Sequence, residues 1–436
     1  MTKYTSLRFS YLRYTTPMAS HSTSNSRRSF FQSLGASLPA SWLAMQSSLA
    51  AAPSPAAEDY WTLVKRQFPL ADGLIYLNAA NVCPSSRPVL DRHQQFLRDF
   101  HADPSFQNRD KYEPMQESLR SKLARMLQAT PDEIAITRNT SEGSNIIVNG
   151  IDLKAGDEIL ITSHNHPSSN DSWKVRAKRH GLVVKEAPVP IPATSAQQLL
   201  DSIEKLITPR TRVLAVTHVT STTGNRYPAG EIGRLARRHN LWYHLDGAQT
   251  FGALDVSVSK IGCDSFSGSA HKWFMGPLEA GVLYVRAERI PTLWPSIITA
   301  GWKDNLKGAR KFEVYGQRDN PRIAAFEAGV DFIDMIGMPA VEARLGKLVT
   351  RLKENLAAIP QVHLKTSRDF TLSGGVIKFQ VKGRATNDLY STLYSKHRVA
   401  LAQTATGESE GLRFSPHIYN SIEEMDQAAA IVRKLA

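Results

Sequence analysis

Two residues are of types and spacing that could share chemistry. Asp246 closes the apolar run Leu241–Leu245, and Lys272 follows in Ser267-Gly-Ser-Ala-His-Lys272. A carboxylate at the end of a buried strand is costly unless a cation compensates it. A lysine in such a cleft has a depressed pKa, which suits it to Schiff-base chemistry. A plain ion pair between the two is the simpler alternative. Another segment, Thr137-Arg-Asn-Thr140-Ser141-Glu-Gly143, joins an apolar run to a helical one. Backbone N–H groups and hydroxyls at such a helix start can hold a phosphate, although simple capping by Thr140 or Ser141 would read the same way. Ser269, three residues before the lysine, offers a further hydroxyl. A Schiff-base lysine, an aspartate for a pyridinium nitrogen and a phosphate cup together are what pyridoxal phosphate (PLP) requires.

The elements that must position these groups alternate along the chain. Glu133–Thr137, Glu158–Thr162, Leu182–Lys185, Arg212–Thr217 and Leu241–Leu245 read as short strands. Ser141–Gly150, Ser169–His180, Ala196–Ile207 and Ala229–Asn240 read as helices. This predicts an α/β fold with a mostly parallel, doubly wound sheet, and ligand groups beyond the carboxyl ends of its strands. After about residue 300 the texture changes. Helices at Pro321–Ile336, Ala340–Leu356, Thr386–Lys396 and Ile422–Leu435 surround a β-rich section, Val362–Val381, and predict a smaller α+β domain. The large domain is placed at 76–298, the small one at 58–75 with 299–436.

Composition narrows the classes. With 436 residues, 42% of them hydrophobic, the chain can bury a core, which excludes a disordered protein. Two cysteines exclude a disulfide scaffold. The net charge of +13 invites a nucleic-acid reading, but Lys3, Arg8, Arg13, Arg27 and Arg28 fall in residues 1–57, which hold no acid; +8 remains without them. Ser26-Arg-Arg-Ser-Phe-Phe-Gln32 opens a small-residue, moderately apolar stretch to about Ala52, the layout of an export signal. Gly35, Pro39, Ser41 and Gln46 interrupt it too often for a membrane span. The arginine pair before two phenylalanines resembles the twin-arginine (Tat) motif. That implies passage through the Tat machinery to the periplasm, with no membrane anchor after cleavage; Met18 is an alternative start. The basic runs Lys174–His180 and Arg234–His239 lie on expected helices without aromatic interleaving and read as solvated faces, so no nucleic-acid partner is expected. His164 and His166 share a loop that no carboxylate or cysteine completes into a metal set, so no metal is expected.

In order and wording these segments resemble the class V aminotransferase family of fold-type I PLP-dependent enzymes, over residues 70–430. That family includes cysteine desulfurases and isopenicillin N epimerase-like proteins. The resemblance implies that Lys272 carries the cofactor and moves the substrate α-proton, while Asp246 pairs with the ring nitrogen. It implies that Gln249 meets the ring hydroxyl, that Thr140, Ser141, Ser269 and His271 hold the phosphate, and that His166 stacks on the ring. Ser221, in His218-Val-Thr-Ser-Thr-Thr-Gly224, falls beside the cofactor where desulfurases often carry Asn; this wording is nearer the epimerase-like branch. Arg413, in Gly411-Leu-Arg-Phe-Ser-Pro-His-Ile-Tyr-Asn420, would clamp the substrate carboxylate. Gln317, and more weakly Arg318, would reach the phosphate across a homodimer interface, although the family's Gly-Thr wording is not kept there.

The departures matter as much. A desulfurase needs a cysteine shortly before the terminal arginine, and Ala400–Gly411 has none; Cys83 and Cys263 lie elsewhere. What the resemblance leaves is amino-group chemistry on a small-molecule amino donor with a free carboxylate: transamination, with epimerase or lyase chemistry as the alternative. A PLP-fold binding protein without catalysis is the reading from another class. A Tat signal joined to this branch resembles the periplasmic enzymes that tailor pyoverdine siderophores, which implies a glutamyl side group as substrate.

Overall fold

Ile159–Ile161 and Val213–Val216 are buried on both faces, as a sheet covered by helices on two sides demands. The computed structural model describes residues 54–55, 57–303 and 306–436; the arginine pair and the expected export signal up to residue 53 lie outside them. Seven strands form the large sheet: β1 (Ile134–Thr137), β2 (Glu158–Thr162), β3 (Val183–Ala187), β4 (Thr211–Thr217), β5 (Trp242–Asp246), β6 (Ser265–Ser269) and β7 (Gly281–Val285). Their order is β1-β7-β6-β5-β4-β2-β3. Only β7 runs against its neighbours. The helices Thr140–Gly150, Pro167–His180, Ala196–Glu204 and Ala229–Arg238 follow β1 to β4 in turn, so the alternation expected from the sequence is the alternation seen, with ends displaced by a few residues.

Register sets the site. Thr137 lies opposite Gly281, and Gly281 opposite Ser269, so the ends of β1 and β6 share one edge. On that edge too, Thr217 lies opposite Asp246 and Asp246 opposite Ser267. A Cβ at Gly281 would come within 2.6 Å of the Gly268 carbonyl oxygen and 2.9 Å of Asn139 Cα. Glycine is needed there for β7 to pass beneath the loop that starts the phosphate-cup helix.

A second, antiparallel sheet holds β8 (Val362–Leu364), β9 (Ile377–Val381), β10 (Ala402–Thr404) and β11 (Gly411–Phe414), in the order β10-β11-β9-β8. The helix Glu58–Lys65 is tied to this end of the chain by Arg344–Glu58 at 2.8 Å and Lys65–Glu424 at 2.5 Å. Two helices that the alternation does not announce, Arg87–Ala102 and Tyr112–Leu127, precede β1. Lys122 joins the second of them to the helix Asn320–Ile336 through Glu327 at 2.8 Å and Asp331 at 2.7 Å. Among the described residues no helix is long and apolar enough to cross a membrane.

Candidate active site

Asp246 ends β5 almost fully buried. Its Oδ1 accepts the Ala248 N–H at 2.9 Å, and its carbonyl accepts the His218 N–H at 2.9 Å. Burial raises its carboxyl pKa, and the nearby Lys272 charge only partly offsets this. Lys272 stands in the turn after β6, where burial pushes its ammonium down. The plain ion pair is not what forms, since no described acid lies within 4.0 Å of the Lys272 Nζ. Among the described residues two further lysines, both buried, also have lowered pKa values, Lys353 and Lys378, each at about 7. Both are occupied: Lys353 Nζ donates to Ser373 Oγ, and Lys378 Nζ donates to Thr404 Oγ1 and the Gly411 carbonyl, each at 2.8 Å. Lys272 differs in having no hydrogen-bond partner for its ammonium among the described residues, and the Asp246 charge acts on it.

The cup at the start of Thr140–Gly150 is built across the sheet. Ser269 Oγ accepts the Thr140 N–H at 2.8 Å and lies 2.7 Å from Thr140 Oγ1. Asn139 caps the helix by accepting the Glu142 N–H at 2.9 Å. The Ser141 hydroxyl reaches only Ser168 Oγ, at 3.4 Å. The helix-capping duty therefore falls to Asn139, which leaves Thr140 and Ser141 hydroxyls at a positive helix end. His271 is kept neutral, its pKa lowered to about 4 by burial and the Lys272 charge. His166 caps the helix Pro167–His180, its Nδ1 accepting the Ser168 N–H at 3.3 Å. Burial lowers its pKa, and the charges of Lys272, Asp246 and Arg413 all act on it. His166 is thus within charge range of all three.

Arg413 is largely buried on β11 and has no carboxylate within ion-pair distance among the described residues. Nη1 donates to the Ser221 carbonyl at 3.0 Å, Nη2 to Asn78 Oδ1 at 3.1 Å, and Nε is buried without a partner. Ser221 thus contributes its backbone, holding the arginine. Gln249 is half committed: its Oε1 accepts the Trp273 Nε1–H at 2.7 Å and its Nε2 donates to the Ala80 carbonyl at 3.0 Å, leaving one N–H free for a ring hydroxyl. Gln317 lies apart from this cluster within the chain, its Oε1 accepting from Arg109 Nη1 at 3.1 Å. Arg318 Nη1 donates to the Ile136 carbonyl at 3.1 Å.

The sequence model of the aminotransferase class V family matches residues 75–428. The chain belongs to the class V aminotransferase family. It is 28% identical to isopenicillin N epimerase of Amycolatopsis lactamdurans over 393 residues, covering 86% of this chain and 98% of that protein. Apo cysteine desulfurase from Thermococcus onnurineus NA1 aligns with a TM-score of 0.76 at 26% identity, over 85% of this chain and 97% of that one. A lysine-to-alanine mutant of C-DES, with glycine covalently linked to its PLP cofactor, aligns with a TM-score of 0.77 at 24% identity, over 85% and 98%; at that identity the likeness shows the fold. The architecture is that of the fold-type I PLP-dependent enzymes.

The donor set fits PLP on the chain's own terms. Asp246 is a buried carboxylate wanting a cation, which a protonated pyridine nitrogen supplies. The Thr140–Ser269 cup wants an anion, and Lys272, on which the Asp246 charge acts, is an amine without a hydrogen-bond partner among the described residues. Sequence reasoning missed Asn78, which holds Arg413, and Trp273, which holds Gln249. Neither could be found from spacing, because each partner lies in a distant segment.

Proposed function

We propose that the protein is a PLP-dependent enzyme acting on the α-amino group of a substrate with a free carboxylate, and that the reaction is transamination. The carrying observation is Arg413, a largely desolvated guanidinium with no acid partner among the described residues, whose charge acts on Lys272. PLP, when bound, supplies an electron sink for the pair released when a bond at the amino carbon breaks. Arg413 offers its free donors to the substrate carboxylate and fixes the amine end toward Lys272. Lys272, displaced by the incoming substrate amine and with its pKa lowered by burial, would take the α-proton as a neutral amine and release it at a different carbon, as transamination requires. Asp246 would accept the hydrogen bond of the ring nitrogen and keep it protonated. Thr140 and Ser269 would hold the phosphate end.

A desulfurase reaction is disfavoured by the cysteines. Both are buried; burial raises the Cys83 thiol far above the reactive range and Cys263 to about 12. The strand and turn before Arg413, Ala402–Gly411, offer no thiol. Epimerisation is the second reading, favoured by the likeness to isopenicillin N epimerase. The substrate is a glutamyl side group of a pyoverdine-type siderophore precursor in the periplasm; the Arg27-Arg28 signal supports that address.

Incubation with an amino-acid panel separates the reactions. Keto-acid release with conversion of the cofactor to its amine form supports transamination. Exchange of the α-hydrogen for solvent deuterium without keto acid favours the epimerase, and sulfide release from cysteine contradicts both. A deletion strain whose siderophore acyl group is unchanged in mass contradicts the pyoverdine substrate.

A further inference from the structure

The segment that carries Arg413 continues through Ser415 to His417, which is fully buried. The His417 Nε2 lies 2.6 Å from the Trp273 carbonyl oxygen, and since that oxygen only accepts, Nε2 carries the hydrogen and donates it. Nδ1 is then bare, buried and without a partner among the described residues. Burial, which lowers the imidazole pKa to about 4, keeps the ring neutral. Trp273 is the residue after Lys272, and its indole meets the His417 ring edge-on at 5.3 Å and 71°. From there the bonds run back to their start. Trp273 Nε1–H donates to Gln249 at 2.7 Å, and Gln249 donates to the Ala80 carbonyl at 3.0 Å. The Ala80 N–H donates to Ser415 Oγ at 3.1 Å, two residues before His417. This buried circuit joins the substrate-clamp segment, the Gln249 turn and the peptide that follows Lys272.

We infer that His417 is a positioning residue: by donating to the Trp273 carbonyl it fixes the backbone of Lys272 relative to the Arg413 strand, so that clamp and base keep one spacing. The lysine's role here rests on the PLP reading; the circuit does not. Removing the donor leaves a buried carbonyl unsatisfied and frees the turn.

Two variants separate donation from packing. His417→Gln places an amide N–H where Nε2–H was but loses the ring. His417→Phe keeps the ring and loses the donor. We expect His417→Gln apoprotein to capture PLP within about threefold of the wild-type rate. His417→Phe should capture it about tenfold more slowly, with kcat falling similarly and KM little moved. A His417→Phe protein equal to wild type, or a His417→Gln protein as impaired as His417→Phe, overturns the inference. Nitrogen-15 NMR of the wild-type apoprotein tests it without any variant. A neutral His417 ring with a slowly exchanging Nε2–H supports the assignment; an Nδ1–H tautomer or an imidazolium overturns it. A wild-type protein that captures no PLP would defeat the cofactor reading, and the NMR result alone would then decide the hydrogen bond.

Discussion

Arg413 donates from Nη1 to the carbonyl of Ser221 at 3.0 Å, a bond that spans from the second sheet to the segment beyond β4. It spends one face of the guanidinium on neutral acceptors and leaves the charge without a carboxylate among the described residues. A bidentate, charge-assisted pair with a carboxylate is the stable completion of that arrangement. Arg413→Lys, which keeps the charge and loses the fork, should raise KM for a carboxylate substrate roughly ten- to a hundredfold. The same variant should treat an amine analogue lacking the carboxylate as the wild type does. Steady-state kinetics on the matched pair checks this, and equal losses on both would contradict the clamp.

Asp246 is raised above its ordinary 3.8 by burial, with the Ala248 N–H and the Lys272 charge opposing. A group raised on folding contributes stability that is present below its unfolded pKa and is lost as pH rises through the folded one. The apoprotein should therefore lose stability through this group as the pH rises above its ordinary 3.8, and Asp246→Asn should flatten that part of the profile. The variant should be more stable than wild type as apoprotein near pH 7 and slower as holoenzyme by about ten- to a hundredfold. Calorimetry with and without PLP, beside turnover, reads both effects.

Glu158, at the start of β2, shows the opposite sign. Burial opposes ionisation, yet bonds from Lys185, Thr208 and Arg210 hold its carboxyl down to about 2 against an ordinary 4.5. Its contribution is complete above 4.5 and is lost as pH falls through about 2. Glu158→Gln should lower the melting temperature by about a few degrees at pH 7, because two cations lose their partner. The gap to wild type should close as the pH approaches 2.

What could be read in the sequence follows from how local each signal is. The run Glu158–Thr162 and the helix Ile422–Leu435 were legible to the residue, because apolar runs and caps are contained within the segments themselves. The places of Asp246 at a strand end, Lys272 just beyond one and Thr140 at a helix start were legible, because each is marked by the apolar run beside it. The direction of β7 was not, since Gly281–Val285 reads like any buried strand and only its partners β1 and β6 reverse it. The His417–Trp273–Gln249–Ala80 circuit was hidden for a related reason: each bond joins segments far apart in the chain, and no spacing rule connects them.

The central claim is that Lys272, of the three lysines with depressed pKa values among the described residues, is the one that bonds the cofactor. Borohydride reduction of the PLP-loaded protein, followed by peptide mass mapping, tests it most directly. The account predicts the cofactor mass on the peptide containing Lys272 and none on Lys353 or Lys378, with the label absent from Lys272→Ala. Label on either of the other two lysines, or a wild-type protein that takes up no PLP, would contradict it.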